Sequence, residues 1–280
     1  MQLNVAVGPR NGPPLVLLHG VTRGWHDWLP VMPEMLEHWQ IFALDHRGHG
    51  GSDRVPGAYR VTDFAADALA FLHEHVGAAA VLWGHSLGAM TAATAAARAP
   101  EKVHALILED PPVTTLAAGL AESRYVLQFT GIRALLADTS DVETLACRLA
   151  TLPVQHPHDG RIVEFREIRD EAALRFSAEC LAGMDATVLD VLLAGRWLEG
   201  LDWFSDLARI TSPTLLLRAD PECGGMLSPH DAARIVETIS STRRIESPGI
   251  GHNLHATDPV RTLGHVLHFL HALPPNRPQT

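Results

Sequence analysis

Gly84-His85-Ser86-Leu87-Gly88 stands between the apolar run 78–83 and the alanine-rich stretch 87–98. A serine between two glycines at a strand-to-helix junction reads as a nucleophile elbow. The turn is so tight that bulky side chains two residues before and two after the serine would collide, which accounts for glycine at both places. Such a turn lifts the serine hydroxyl out of the sheet. The helix that follows points its N-terminal amides at any oxyanion formed beside Ser86. A chain with 22 glycines produces short Gly-Ser patterns by chance, so the strand before and the helix after carry the assignment.

Outward from this turn, short apolar runs alternate with helical ones, the pattern of parallel strands joined by crossover helices. Strands are predicted at 15–18, 41–44, 79–83, 105–108 and 214–218, with a weaker one at 243–246. In an open parallel sheet ligands gather at the carboxyl ends of the strands. His19-Gly20, Asp45, Ser86, Asp110, Asp220 and His252 would all lie along that edge. Between Thr114 and Leu207, about 90 residues hold helix-like runs and no convincing strand, which predicts an inserted helical cap. The organisation expected is a core of residues 1–113 and 208–280 with a cap of 114–207. The tail from Pro274 to Pro278 cannot continue a helix and reads as mobile.

The chain has 280 residues and is 46% hydrophobic, enough for a sizeable buried core. Its formal charge of −10 offers no basic stripe for phosphates and argues against a nucleic-acid partner, leaving neutral and cationic substrates open. No run of about 18 apolar residues and no signal-like N-terminus is present, so no membrane partner and a cytoplasmic location are expected. Cys147, Cys180 and Cys223 are widely spaced and odd in number, which suggests neither a disulfide framework nor a zinc knuckle. His46, His49, His156 and His158 show no ligand spacing on a shared helix face, and no metal or cofactor is expected.

Several stretches in order, His19-Gly20, Asp45-His46-Arg47-Gly48-His49-Gly50-Gly51-Ser52, the elbow, Pro213-Thr214-Leu215-Leu216-Leu217 and Gly251-His252, resemble the α/β-hydrolase superfamily, in its branch with a helical cap. The likeness covers nearly the whole chain and implies an α/β fold with a mostly parallel sheet flanked by helices. It implies a serine nucleophile, Ser86, and a catalytic base in the loop before the last helix, where His252 follows Pro248-Gly249-Ile250-Gly251. A histidine titrating near neutrality suits that task. His255 is the decoy, expected to face the cap, and His85 is expected to support the loop or line the pocket.

The acid is where the chain departs from the family's usual pattern. Most relatives place it after the strand that begins here at Thr214, commonly after a glycine and two further residues. In Ala219-Asp220-Pro221-Glu222 alanine replaces that glycine, Asp220 comes early and Glu222 falls at the expected offset. A second arrangement takes the acid from the strand after the elbow helix, where Asp110 lies 24 residues beyond Ser86. Alternation sends Glu109 and Asp110 to opposite sides, so at most one of them reaches His252. Asp110 and Asp220 are both candidates, with Glu222 behind them, and the loser should cap a helix or tie loops together.

The resemblance places the oxyanion hole at the amides of Leu87 and Val21. Trp25 is a candidate pocket wall and Trp28 a packing residue. Asp45 to Ser52 looks structural. Met184, Leu192, Leu193, Trp197 and Phe204 could form core or a roof over the substrate, and helical spacing favours core. Two functions follow. One is a cofactor-independent serine hydrolase of a small-molecule ester or lactone, with amide or carbon–carbon bond hydrolysis as variants. The other is a hydrolase-fold receptor or regulatory protein that binds without turnover.

Overall fold

A computed structural model describes residues 1–117, 119–139 and 141–273; the tail from Pro274 to Pro278, expected to be mobile, lies outside them. Seven strands form the main sheet: β1 (Val5–Val7), β2 (Pro14–Leu18), β3 (Gln40–Leu44), β4 (Ala80–His85), β5 (Val103–Glu109), β8 (Thr214–Ala219) and β9 (Thr242–Ser247). A separate hairpin pairs β6 (Pro153–Gln155) with β7 (Ile162–Glu164). The main order is β1-β3-β2-β4-β5-β8-β9, antiparallel only at β1.

Both faces of the sheet are covered, so the central strands are apolar at successive positions rather than alternately. Leu15 and Leu17 of β2 enter the core on one face, with Trp28, Trp83 and Phe269. Val16 and Leu18 enter the other, with Leu82, Leu106 and the alanines of the helix Leu87–Arg98. Those alanines let the helix lie close against the sheet, which holds the elbow at the centre of the molecule. Truncating any of the fully buried leucines to alanine would cost about 2–5 kcal/mol.

The insertion between β5 and β8 differs from the expectation in one respect. It contains the helices Val126–Asp138, Val142–Ala150 and Glu171–Ala182, the first turns of the latter two held by Asp141 and Asp170. It also contains the hairpin β6–β7, so it is not purely helical. Its last helix, Trp203–Leu207, packs on the core, where Trp203 Nε1 donates to Met90 O at 3.3 Å. Among the described residues no helix is long and apolar enough to cross a membrane.

Candidate active site

β4 ends at His85 and the helix begins at Leu87, leaving Ser86 at φ 54° and ψ −116°. A non-glycine residue holds such a conformation only where its surroundings over-determine it. Ser86 N donates to Glu109 O at 2.9 Å, tying the turn to β5. Close packing does the rest. A Cβ on Gly84 would sit 2.2 Å from Gly88 O, and one on Gly88 would sit 1.9 Å from Leu18 O.

The loop after β2 approaches just as closely, for a Cβ on Gly20 would lie 3.1 Å from Ser86 Cβ. His19 fixes this loop. Its Nε2 accepts from His46 N at 3.0 Å, so the ring proton is on Nδ1, which donates to Gly20 O at 2.7 Å. Burial lowers the pKa of His19 and holds His46 well below the usual histidine value, so both stay neutral. Val21 borders the cavity beside Ser86, and Thr22 after it has φ 66°. Asp45 accepts from Asn4 Nδ2, Trp25 N and Gly51 N at 2.7, 2.8 and 3.1 Å, a structural knot.

Of the candidate acids, Asp110 is the one against His252: its Oδ2 lies 2.6 Å from His252 Nδ1. The same oxygen accepts from Met226 N at 2.7 Å, and Oδ1 accepts from Ala219 N at 3.1 Å and Leu227 N at 3.3 Å. Burial opposes its charge, but the bond and charge of His252 and these amides hold its pKa below the ordinary carboxylate value. Asp110 itself has φ 45°, so the backbone bends to aim the side chain. Asp220 does not reach His252. Its Oδ2 accepts from Gly249 N at 2.8 Å and its Oδ1 from Glu222 N at 3.0 Å, while its amide donates to Ile250 O at 2.8 Å. It ties the loop that carries His252 to the end of β8.

Beneath the serine lies a buried cluster that sequence reasoning did not find. Glu109 points to the opposite side of β5 from Asp110 and accepts from Trp83 Nε1 at 3.0 Å, His255 N at 3.1 Å and His255 Nδ1 at 2.7 Å. On its other edge His255 Nε2 lies 3.3 Å from Asp27 Oδ2, a charge contact without hydrogen-bond alignment. Trp28 stacks on the ring at 4.2 Å. Burial works against a charged His255, but Glu109 and Asp27 together push its pKa up to about 10. The expectation that His255 faces the cap is therefore wrong: two carboxylates hold it under the sheet edge. No local pattern marks this cluster, because its members come from four distant segments.

His85 faces both groups of residues. Its Nε2–H donates to His252 O at 3.1 Å. Burial, then the nearby His252, lower its pKa to about 3, so it is neutral and its 4.0 Å approach to Asp27 is no ion pair.

A cavity of about 330 Å³ opens over His85, Ser86 and His252. Its roof is Tyr125, Phe129, Ile132, Phe165, Ile168 and Leu181. Trp25, a candidate wall, does not border it, and neither do Met184, Leu192, Leu193, Trp197 and Phe204, for which helical spacing favoured core over roof. Trp25 stacks on His26 at 3.9 Å, and its backbone N–H donates to Asp45 Oδ1. Met184, Leu192 and Trp197 are fully packed in the core, with Leu193 and Phe204 against them. Arg23, Arg124 and Arg169 also line the cavity, and nothing in their sequence spacing brings them together.

Known proteins share this fold. A family model described as alpha/beta hydrolase fold matches residues 13–259. The 2-(acetamidomethylene)succinate hydrolase of Mesorhizobium japonicum (strain LMG 29417 / CECT 9101 / MAFF 303099) is 26% identical over 275 residues, covering 94% of this chain and 89% of the relative. Among solved structures, an E-2-(acetamidomethylene)succinate hydrolase superposes with a TM-score of 0.71 at 23% identity, covering 96% of this chain and 95% of the other. The enol-lactonase from Burkholderia xenovorans LB400 does so with a TM-score of 0.71 at 20% identity, covering 96% of each chain. With the elbow, the sheet order and the match over residues 13–259 in agreement, the chain belongs to the α/β-hydrolase family and is a hydrolase by its relatives.

Proposed function

We propose that this hydrolase is a cofactor-independent serine enzyme that cleaves a small carboxylic ester or lactone through an acyl-enzyme on Ser86. The observation that carries the reading is the 2.6 Å contact of His252 Nδ1 with the buried Asp110, on a histidine that shares one cavity with Ser86. Asp110 keeps the proton on Nδ1, leaving Nε2 as the base. As Ser86 Oγ attacks the carbonyl carbon, its proton passes to Nε2. The carbonyl oxygen becomes an oxyanion facing the amides of Val21 and Leu87. Collapse breaks the bond to the leaving oxygen, which takes the proton from His252. Water then attacks the acyl group, gives its proton to Nε2, and the serine leaves with that proton as the acid is released.

Amide cleavage is the second reading. It is favoured by the likeness to a relative named for a substrate with an acetamido group, and it uses the same steps with nitrogen as the leaving atom. The test is stoichiometric labelling of the protein by an uncharged organophosphonate, with Ser86→Ala as blank, followed by hydrolysis of p-nitrophenyl esters, lactones and anilides. Absence of label would favour a receptor that keeps the fold without turnover.

A further inference from the structure

Whole-chain charge and cavity charge have opposite signs in this protein. The formal charge is −10, yet Arg23, Arg124 and Arg169 line the cavity and none of the described residues around it is Asp or Glu. Guanidinium groups stay protonated at any pH at which a protein works, so the cavity holds three fixed positive charges.

The protein's own groups neutralise them only in part. Arg124 Nη1 donates to the neutral carbonyl of Pro157. Arg23 Nη1 donates to Ser177 Oγ at 3.1 Å, while its nearest carboxylate oxygen, on Asp27, is 3.8 Å away and the same side chain contacts His255. Arg169 makes no hydrogen bond or ion pair with any described residue. Asp170 beside it accepts from Ala173 N at 2.7 Å at the start of the helix Glu171–Ala182. Burial and then the charge of Arg23 lower the pKa of Arg169, and Asp170 and Asp27 offset this only in part. Asp110 lies behind His252 and does not line the cavity.

We propose that the cavity takes substrates bearing a free carboxylate apart from the bond that is cleaved, with Arg169 as its principal partner and Arg124 and Arg23 flanking it. A guanidinium fork matches a planar carboxylate with two parallel hydrogen bonds. A volume of about 330 Å³ is at the small end for ligand cavities, which suits a short acid rather than a long acyl chain. The inference rests on Ser86 and His252 marking the reacting end of the same cavity.

The test is calorimetric titration of Ser86→Ala protein with succinate, succinamide and inorganic phosphate at constant ionic strength. One succinate carboxylate stands for the acid product at the serine and the other for the anionic group. Succinate is expected to bind about tenfold or more tighter than succinamide. Adding Arg169→Gln should remove that advantage, with Arg169→Lys restoring part of it. Arg175→Gln, which removes the same charge from an exposed site paired with Glu143, should leave succinate binding unchanged. Equal binding of succinate and succinamide, or an Arg169→Gln protein that binds succinate as the parent does, would overturn the proposal. Tighter binding of phosphate than succinate would overturn the carboxylate assignment. Because titration needs no turnover, a protein that binds succinate but is never labelled at Ser86 supports the carboxylate site and removes the acyl-enzyme reading, while a labelled protein blind to succinate does the reverse.

Discussion

Glu109 and Asp110 are consecutive in the chain and serve different histidines: Asp110 Oδ2 is 2.6 Å from His252 Nδ1, and Glu109 Oε1 is 2.7 Å from His255 Nδ1. Glu109 ends β5 and points beneath the serine, while the backbone bend at Asp110, φ 45°, turns the next carboxylate to His252 beside it. The charge in the first pair should support turnover and that in the second should support the fold.

Asp110→Asn is therefore expected to lower kcat about ten-thousand-fold with little change in KM, because the imidazole loses the partner that fixes its tautomer. Asp220→Asn should keep kcat per folded molecule within about tenfold, since geometry at the serine survives. Kinetics on any ester the enzyme cleaves, normalised to the folded fraction by circular dichroism, distinguish the two. A large loss in Asp220→Asn alone would reverse the assignment.

Ser86→Ala should abolish turnover and label uptake while leaving the fold intact. Ser86→Gly should be equally inactive yet more stable than Ser86→Ala. At φ 54° and ψ −116° a side chain carries a backbone strain of about 1–3 kcal/mol that glycine escapes, partly offset by the freedom glycine has when unfolded. Thermal unfolding of the two variants side by side provides the check. A lower midpoint for Ser86→Gly would show that the turn is not strained.

Glycine at the elbow has the opposite sensitivity. Gly84→Ala and Gly88→Ala each drive a methyl group to within 2.2 and 1.9 Å of a backbone oxygen that has no room to retreat. Neither variant is expected to accumulate as soluble folded protein, whereas Gly77→Ala, with nothing within 4 Å of its added Cβ, should express normally. Comparing soluble yields in parallel is sufficient.

The His255 cluster sets a pH dependence with a definite sign. The ordinary value of 6.5 is raised to about 10 in the fold, so the charged ring's contribution is complete below pH 6.5 and is lost as the pH rises to about 10. Urea-unfolding stability should fall between pH 7 and 10, with a slope of at most ~1.4 kcal/mol per pH unit from this proton. Cys180, raised by burial from 9.0 to about 12, adds the same sign above pH 9. The measure is thus the difference from the double variant Glu109→Gln/His255→Gln, whose curve should be flatter. His255→Gln alone leaves buried Glu109 without its cation and Asp27 with Arg23 alone, and should cost about 3–5 kcal/mol.

What could be read from the chain was whatever is local. The five strong apolar runs became β2, β3, β4, β5 and β8, because strands buried on both faces need unbroken apolar stretches. β1 escaped notice because an edge strand of three residues, none of them fully buried, has too little pattern to register. The hairpin β6–β7 was hidden for the same reason, each strand being three residues long. Both candidate acids were visible as residues at strand ends, but the choice between them depended on where the loops after β5 and β8 pass each other. The positive cavity was invisible, since Arg23, Arg124 and Arg169 meet only through tertiary packing in a chain whose total charge points the other way.

Placing the acid just after β5 also changes what the loop after β8 is free to become. Asp110 draws on the amides of Ala219, Met226 and Leu227 without using a side chain from that segment, while Cys223, Gly224 and Met226 form part of the cavity wall. Substitutions at these side chains can therefore reshape the chamber while the proton-handling apparatus stays anchored elsewhere. A lineage built this way can acquire new substrates by altering residues that carry no catalytic duty, and this loop is the first place to diversify when redirecting the enzyme in the laboratory.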